Sequence, residues 1–150
     1  MIDFRLATER DLERIVALLA DDPLGATREN PGPPLPDSYR SAYAEIAADP
    51  NNEIWLAMRD GLVIGVLQLT IIPTLTHGGS RRALIEGVRV ATQARGAGVG
   101  AQMIEAAVGR ARQRGCAMVQ LTSDKRRPDA IRFYERLGFS ASHEGFKRWF

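Results

Sequence analysis

The spacing of apolar residues changes once along this chain of 150 residues, and that change limits the possible folds more than any other feature. Before it, apolar runs at residues 53–58, 62–72 and 83–90 are separated by short turns, which predicts three consecutive antiparallel strands. The turn between the first two contains Asp60-Gly61, a dipeptide typical of tight hairpins. A second turn is predicted at residues 74–80, so this part of the chain predicts a β-meander.

After the change, apolar residues recur at intervals of three and four, which predicts a helix that ends at Gly115. A strand at residues 118–122 follows, and then a helix at residues 128–137 that a proline opens. Two last strands are predicted at residues 139–142 and 146–150. The helical spacing is carried by Val99, Met103, Ile104, Ala107 and Val108.

The first fifty residues predict one strand and two helices. Residues 2–7 alternate apolar and polar side chains, as a half-buried strand does. Thr8 is the expected N-cap of the helix that follows, with Asp11 in the position that completes a capping box. Prolines and glycines predict a long loop at residues 23–37, and a second helix is expected at residues 38–48.

These elements run in the order β-α-α-β-β-β-α-β-α-β-β. This order predicts an α/β fold with a mixed, mostly antiparallel central sheet and helices on both faces. Residues 1–150 are expected to form a single domain, since neither a repeat nor a linker interrupts them. With 45% hydrophobic and 25% charged residues, the composition is that of an ordinary globular protein rather than a disordered one.

Several classes of protein are disfavoured by composition. No apolar run approaches the roughly 20 residues that cross a bilayer, and the acidic start does not resemble a signal peptide. The single cysteine, Cys116, suits a reducing cytoplasm and is expected to be a small core residue. Two histidines and one cysteine far apart lack metal-ligand spacing. We therefore expect a cytoplasmic protein without a metal or a membrane partner.

The basic residues are mostly arginine and are clustered. The net charge is only +2 and aromatic residues make up 7%, so a nucleic-acid partner is not expected. Two interpretations of the clusters stay open: a solvated helix face, or a local site for phosphate, which arginine binds well. The clusters are Arg110, Arg112 and Arg114, and then Lys125, Arg126 and Arg127.

A glycine-rich segment, RGAGVG at residues 95–100, lies between a predicted strand and a predicted helix. Glycines let backbone N–H groups converge there, and the helix N-terminus adds partial positive charge, so the segment can bind a phosphate or pyrophosphate. A tight packing turn alone would need only one glycine. A P-loop is excluded because the segment has no lysine.

A dinucleotide site of the Rossmann type is the serious rival. Gly96, Gly98 and Ala101 fit its fingerprint, and Asp124 follows the next strand. However, residues 91–95 separate the glycines from their strand, an antiparallel meander precedes them, and too few residues remain for a doubly wound sheet. These features favour another kind of phosphate loop.

The pattern Arg95-x-x-Gly98-x-Gly100 resembles the Q/R-x-x-G-x-G/A pyrophosphate loop of the GNAT (general-control-related N-acetyltransferase) superfamily. The preceding strand IEGVRV (residues 85–90) and the downstream DAIRFYERLGF (residues 129–139) are similar to that family's flanking motifs. The close resemblance covers residues 84–139, and the order of elements agrees over the whole chain. The resemblance implies an acetyl-CoA-dependent N-acetyltransferase with a small-molecule or peptide amine as acceptor, and it is compatible with a homodimer.

The resemblance also implies roles for single residues. The strand around Val88, Arg89 and Val90 would pair with the pantetheine arm, and the N–H of Val90 would face the thioester oxygen. Tyr134 would protonate the departing thiolate, with packing in an aromatic pair as the alternative. Glu86 would act as base through water, with a salt bridge or simple substrate binding as the alternative. The pyrophosphate would be held by Arg95, Gly96, Ala97, Gly98, Val99, Gly100 and Ala101.

Other points stay open. Many members of the family carry asparagine where this chain has Arg127, so Arg127 either approaches a cofactor phosphate or faces solvent. His143 and Glu144 are expected at the surface, although they could meet the acceptor. The acceptor itself is not identified by any motif. A non-catalytic module that binds acyl-CoA as a sensor is the alternative function.

Overall fold

The computed structural model describes residues 1–127 and 129–150 of the chain. They form two compact units, Met1–Gln120 and Leu121–Phe150. One sheet has five strands that follow the chain order: β1 (Asp3–Leu6), β2 (Asn52–Arg59), β3 (Leu62–Pro73), β4 (Arg81–Val90) and β5 (Cys116–Leu121). The helices are α1 (Leu12–Ala20), α2 (Gly25–Arg28), α3 (Asp37–Ala48), α4 (Thr76–Gly79), α5 (Val99–Gln113) and α6 (Ala130–Arg136).

The predicted meander is confirmed. Strands β1 to β4 pair antiparallel in sequence, and β5 lies beside β4 after the crossover through α5. Asp60 and Gly61 have φ values of 52° and 77°, as the tight hairpin turn requires. The α/β class and the mostly antiparallel sheet are therefore as the sequence predicts.

Helix α5 covers one face of the sheet in the first unit. It packs on β3 and β4, and Met103 and Ile104 of the helix are buried, as are Leu69 of β3 and Ile85 of β4. A Cβ atom on Gly65 would lie 2.5 Å from the sulfur of Met103, so glycine in β3 lets the helix approach closely. This contact places the start of α5 next to the end of β4.

The start of α1 shows the predicted capping box. The N–H of Thr8 donates to the Asp11 carboxylate at 2.8 Å, and Arg5 donates two hydrogen bonds to the same carboxylate. The Arg5 guanidinium is the main reason that the pKa of Asp11 falls to about 2. A single 3₁₀ turn, Glu9–Asp11, precedes the helix.

Two predicted loops contain short helices. Helix α2 lies in the proline-rich segment predicted as a loop, and α4 forms a single turn within the predicted turn at residues 74–80. His77 and Gly78 of α4 have positive φ, so that segment behaves as a turn. Helix α3 packs its Tyr39 and Tyr43 against a small core that includes Leu35.

The second unit contains α6 and a C-terminal segment without helix or strand. The predicted helix at residues 128–137 is confirmed from Ala130 onward, while Pro128 lies outside the described residues. The strands predicted at residues 139–142 and 146–150 are wrong, because residues 139–150 form no strand or helix. Phe146 and Trp149 are 94% and 86% exposed. Aromatic side chains favour a strand only where a neighbouring strand or core receives them.

Candidate active site

A β-bulge interrupts β4 just before the glycine-rich segment. Glu86 is opposite Gln68 and Arg89 is opposite Val66, so two residues of β4 face a single residue of β3. Gly87, one of the two, has a φ of +62°, which glycine adopts without strain. Bulges often re-aim groups next to active sites. This bulge was not predicted, although an isolated glycine within a predicted strand is the usual sequence signal of a bulge.

Beyond the bulge, the end of β4 presents its backbone in two directions. The N–H of Ala91 donates to the carbonyl of Ile64 in β3 at 2.8 Å. Because hydrogen-bonding groups alternate along an antiparallel strand, the N–H of Val90 points away from β3. The carbonyl of Val90 accepts a hydrogen bond from Arg95 Nε at 3.1 Å. This is the orientation that the predicted role of Val90 toward a thioester oxygen needs.

The glycine-rich segment turns the chain from β4 into α5. Gly96 and Gly98 have φ values of 79° and 74°, and Gly98 is the N-cap of the helix. A Cβ on Gly96 would meet nothing within 4 Å, and one on Gly98 only the side-chain nitrogen of Gln102 at 4.0 Å. The amides of the first helical turn have no acceptor within the helix. The loop is therefore open and lined with N–H donors, as an anion site requires.

Arg95 and Thr92 tie this loop to the end of α1. Arg95 Nη2 donates to the Asp21 carbonyl at 2.8 Å, and Thr92 Oγ1 donates to the Asp21 carboxylate at 2.7 Å. Part of the Arg95 guanidinium is thus used within the protein, in a contact that no sequence motif signalled. Its predicted contact with the pyrophosphate stays a prediction.

Arg89 lies at the same end of α1. Its Nη1 donates to the Val88 carbonyl at 2.9 Å, and its Nε lies 4.0 Å from the Asp22 carboxylate. Asp22 also accepts a hydrogen bond from the N–H of Gly25 at 2.6 Å. The two aspartates following α1 therefore hold two arginines close to the end of β4.

Glu86 lies on the sheet face opposite to α5, just before the bulge. The side chain of Glu86 is exposed, although its neighbours along β4 are mostly apolar. The salt bridge considered as an alternative role does not occur within residues 1–120. Its carboxylate is therefore accessible, and its role as a base stays a prediction.

Tyr134 belongs to α6 in the second unit. Its ring makes edge-to-face contacts with Phe133 at 5.0 Å and Phe139 at 5.8 Å between centroids. The aromatic packing considered for Tyr134 is therefore present, and a proton-donating role is compatible with it. Of the neighbouring candidates, Arg127 is half-buried, while His143 is exposed and Glu144 is exposed in an ion pair with Lys125.

The first arginine cluster has a structural role. Arg110 of α5 and Arg114, the C-cap of that helix, bind the buried carboxylate of Glu53 at 2.6 and 2.9 Å, and Trp55 Nε1 donates to it at 2.7 Å. Burial alone would raise the pKa of Glu53, but the hydrogen bonds from Arg110 and Trp55 and the charges of both arginines hold it below its ordinary value. Of the predicted cluster, Arg112 is exposed.

Cys116 begins β5 and is half-buried. Burial raises the pKa of its thiol, and the charges of Arg114 and Arg81 offset this only in part. A raised pKa keeps the thiol protonated and unreactive near neutral pH. Cys116 is half-buried rather than the core residue expected from the sequence, and the absence of a catalytic role for it stays a prediction.

The predicted cofactor residues from Val88 to Ala101 thus form one continuous path from the bulge of β4 into the first turn of α5. The model of the acetyltransferase (GNAT) family matches residues 12–139, which include this whole path. The chain belongs to the GNAT acetyltransferase family. Its co-substrate is accordingly acetyl-CoA, and its reaction is acyl transfer. No helix in the described part of this acetyltransferase combines the length and apolar character needed to span a membrane.

Three relatives illustrate the range of the family around this acetyltransferase. An aminoalkylphosphonate N-acetyltransferase of Salmonella typhimurium is 34% identical over 111 residues, 74% of this chain and 71% of that protein. A glucosamine 6-phosphate N-acetyltransferase of Trypanosoma brucei brucei is 39% identical over 84 residues, 56% of this chain and 54% of that protein. A solved structure from Bacillus halodurans C-125, described as a transcriptional regulator, is 53% identical with a TM-score of 0.97, and the match covers both chains completely.

Proposed function

We propose that this acetyltransferase moves an acetyl group from acetyl-CoA to the primary amine of a small molecule by direct attack. In this step the neutral amine attacks the thioester carbonyl, a C–N bond forms and the C–S bond breaks. One proton leaves the amine, and one proton is taken up by the departing thiolate. No covalent acyl-enzyme is required.

The observation that carries the proposal is the path from the bulge of β4 through the glycine-rich loop into α5. An N–H directed away from β3 at Val90 is a suitable donor for the oxyanion, and preorganised donors of this kind are usually a large contribution in acyl transfer. The open loop amides between Gly96 and Gly100 suit a pyrophosphate.

The proton transfers are assigned to Glu86 and Tyr134. Glu86 is accessible and lies just before the bulge, so it can accept the amine proton through a water molecule. Tyr134 would donate its phenolic proton to the thiolate and regain one from the solvent. Both assignments follow the family resemblance, and that of Tyr134 is testable by the substitution Tyr134→Phe.

A small amine is favoured as acceptor by the two curated relatives, whose names specify an aminoalkylphosphonate and an amino sugar phosphate. These two compound classes therefore head the panel of candidate acceptors, before aminoglycosides, polyamines and peptides.

The test combines a binding measurement with an activity measurement. Acetyl-CoA is expected to raise the melting temperature, because a ligand at 100 times its dissociation constant stabilises the folded state by about 2.7 kcal/mol. Thiol release from acetyl-CoA is then measured with each amine of the panel. Equal stabilisation by NAD would contradict an acetyl-CoA site and favour a dinucleotide site.

A second candidate function is binding of acyl-CoA without turnover, as a sensor. It is favoured by the relative from Bacillus halodurans, which is described as a transcriptional regulator. The same experiment separates the two functions. Stabilisation by acetyl-CoA without thiol release on any amine would support the sensor.

A further inference from the structure

The sheet face opposite to α5 carries polar side chains on three neighbouring strands. Asn52 of β2 accepts hydrogen bonds from Gln68 at 3.1 Å and from Thr70 at 2.7 Å, both in β3. The register places Glu86 of β4 opposite Gln68 and Arg82 of β4 opposite Ile72, so both charged residues share this face. We call these five polar residues the polar floor. It is half-exposed, and it ends at the bulge.

Arg82 is the member of the polar floor whose hydrogen bonds are incomplete. Its Nε is buried from solvent and has no acceptor among the described residues. The adjacent Arg81 points to the opposite face, where it donates to the carbonyl of Arg114 at 3.1 Å. A buried donor without an acceptor is unfavourable, and an oxyanion is the partner that the planar guanidinium fork fits well.

The two charges of the polar floor are arranged to receive opposite charges on one molecule. Arg82 and Glu86 are four residues apart on one strand, so their Cα atoms are about 13 Å apart. Their side chains and a molecule of a few bonds can bridge that separation. The carboxylate lies at the end nearer to the bulge and to Val90, where the amine must react. The guanidinium lies at the far end, where the remainder of the acceptor would extend.

We propose that Arg82 binds an oxyanion of the acceptor, so that the preferred acceptors are small primary amines that also carry a phosphonate, phosphate or carboxylate. This inference rests on the proposed function, since it concerns the acceptor of the same reaction. It makes Arg82 a specificity-determining residue on a strand that the family resemblance assigns only to the cofactor and the base.

The test compares three amines that differ in one group. 2-Aminoethylphosphonate and β-alanine carry an oxyanion, and 3,3-dimethylbutylamine replaces the phosphonate with an uncharged group of similar shape. The wild type should prefer the charged amines. Arg82→Met should lower kcat/KM for them by about 10- to 100-fold and leave the uncharged amine unchanged, because a hydrogen bond to a charged group is lost. The ratio of kcat/KM for 2-aminoethylphosphonate to kcat/KM for β-alanine shows which oxyanion is preferred.

Two further variants serve as controls. Arg81→Met removes the same charge from the opposite face and should retain the preference. Arg82→Lys keeps the charge without the planar guanidinium fork, and it should retain part of the preference for charged amines. The dissociation constant of acetyl-CoA should be the same in all variants, since Arg82 is assigned to the acceptor. A loss of acetyl-CoA affinity in Arg82→Met without a change in preference would overturn the inference.

The failure of this inference is distinguishable from failure of the proposed function. Turnover without any preference for a charged amine, in wild type and Arg82→Met alike, would contradict the role of Arg82 alone. Absence of turnover with every amine would contradict the proposed function. In that event, calorimetry of methylphosphonate with the CoA-loaded protein still tests the anion site. Binding that is weakened in Arg82→Lys and lost in Arg82→Met supports the site, and equal binding in all variants or absent binding in the wild type overturns it.

Discussion

Gly98 combines a positive φ with open space around its missing side chain. A side chain there would strain the backbone but would collide with nothing in the protein. Asparagine and aspartate tolerate this backbone region better than most residues. The position therefore separates the effect of charge in the loop from the effect of strain.

Gly98→Asp is expected to weaken acetyl-CoA binding strongly while the fold survives, because a carboxylate would face the pyrophosphate. Gly98→Asn is the matched control, with the same shape and no charge. We expect the aspartate variant to bind acetyl-CoA about 10- to 100-fold more weakly than the asparagine variant. Isothermal titration measures both dissociation constants, and equal affinities would show that the pyrophosphate lies elsewhere.

Tyr134 is half-buried between two aromatic rings, so its packing and its hydroxyl can be tested apart. Tyr134→Phe keeps the ring and removes the proton donor. We expect unchanged acetyl-CoA affinity and a slower chemical step, since general acids contribute about 10²- to 10⁴-fold. Single-turnover acetyl transfer is the appropriate measurement, because slow product release can hide slower chemistry. Rates equal to wild type across pH would leave Tyr134 with a packing role only.

At the scale of elements, α5 is held to β2 by the Glu53 carboxylate. Glu53 is 8% exposed, and its oxygens bind Arg110 of the helix, Arg114 at the helix C-cap, and Trp55. The pKa of Glu53 is lower in the folded protein than its ordinary value. The ionised Glu53 carboxylate and its partners therefore contribute fully to stability at pH values above the unfolded-state pKa. This contribution is lost as the pH falls through the folded-state pKa.

Glu53→Gln is accordingly expected to lower the free energy of unfolding at pH 7 by about 1–3 kcal/mol, because two guanidinium groups lose a charged acceptor. The difference from wild type should shrink as the pH falls below about 4.5, where the unfolded carboxyl is protonated. Urea unfolding at a series of pH values measures this difference in the free energy of unfolding. Glu105→Gln, at an exposed position of the same helix, is the control and should change little. A difference that grows at low pH would contradict this account.

At the scale of the whole molecule, features coded by neighbouring residues could be predicted and long-range contacts could not. The meander, the Asp60-Gly61 hairpin and the glycine-rich loop depend on local spacing and backbone freedom, so the sequence alone indicates them. The contact of Arg95 with Asp21 joins residues 74 positions apart, and that of Arg110 with Glu53 spans 57. No local pattern specifies such partners.

In the candidate site too, local features could be predicted from the sequence and features that depend on long-range packing could not. The loop between Arg95 and Ala101 was predictable because its glycines and the following helix are contiguous. The exposure of Glu86 was not, because it depends on which face of β4 is covered by α5. The two last predicted strands failed for a related reason: Phe146 and Trp149 favour a strand locally, but a strand exists only with a neighbour.

The hydrogen bonds of Asp21 have a thermodynamic consequence for ligand binding at the glycine-rich loop and at the end of α1. Asp21 holds both Arg95 and Thr92, and it stands where α1 ends and the proline-rich segment begins. Because Asp21 joins the loop to the end of α1, a ligand that orders one of these segments is expected to restrict the other as well. Such coupling is reciprocal. A ligand at the loop and a ligand at the end of α1 would therefore change each other's affinity by the same factor. Asp21 is accordingly the residue through which binding at the glycine-rich loop and order at the end of α1 are expected to depend on each other.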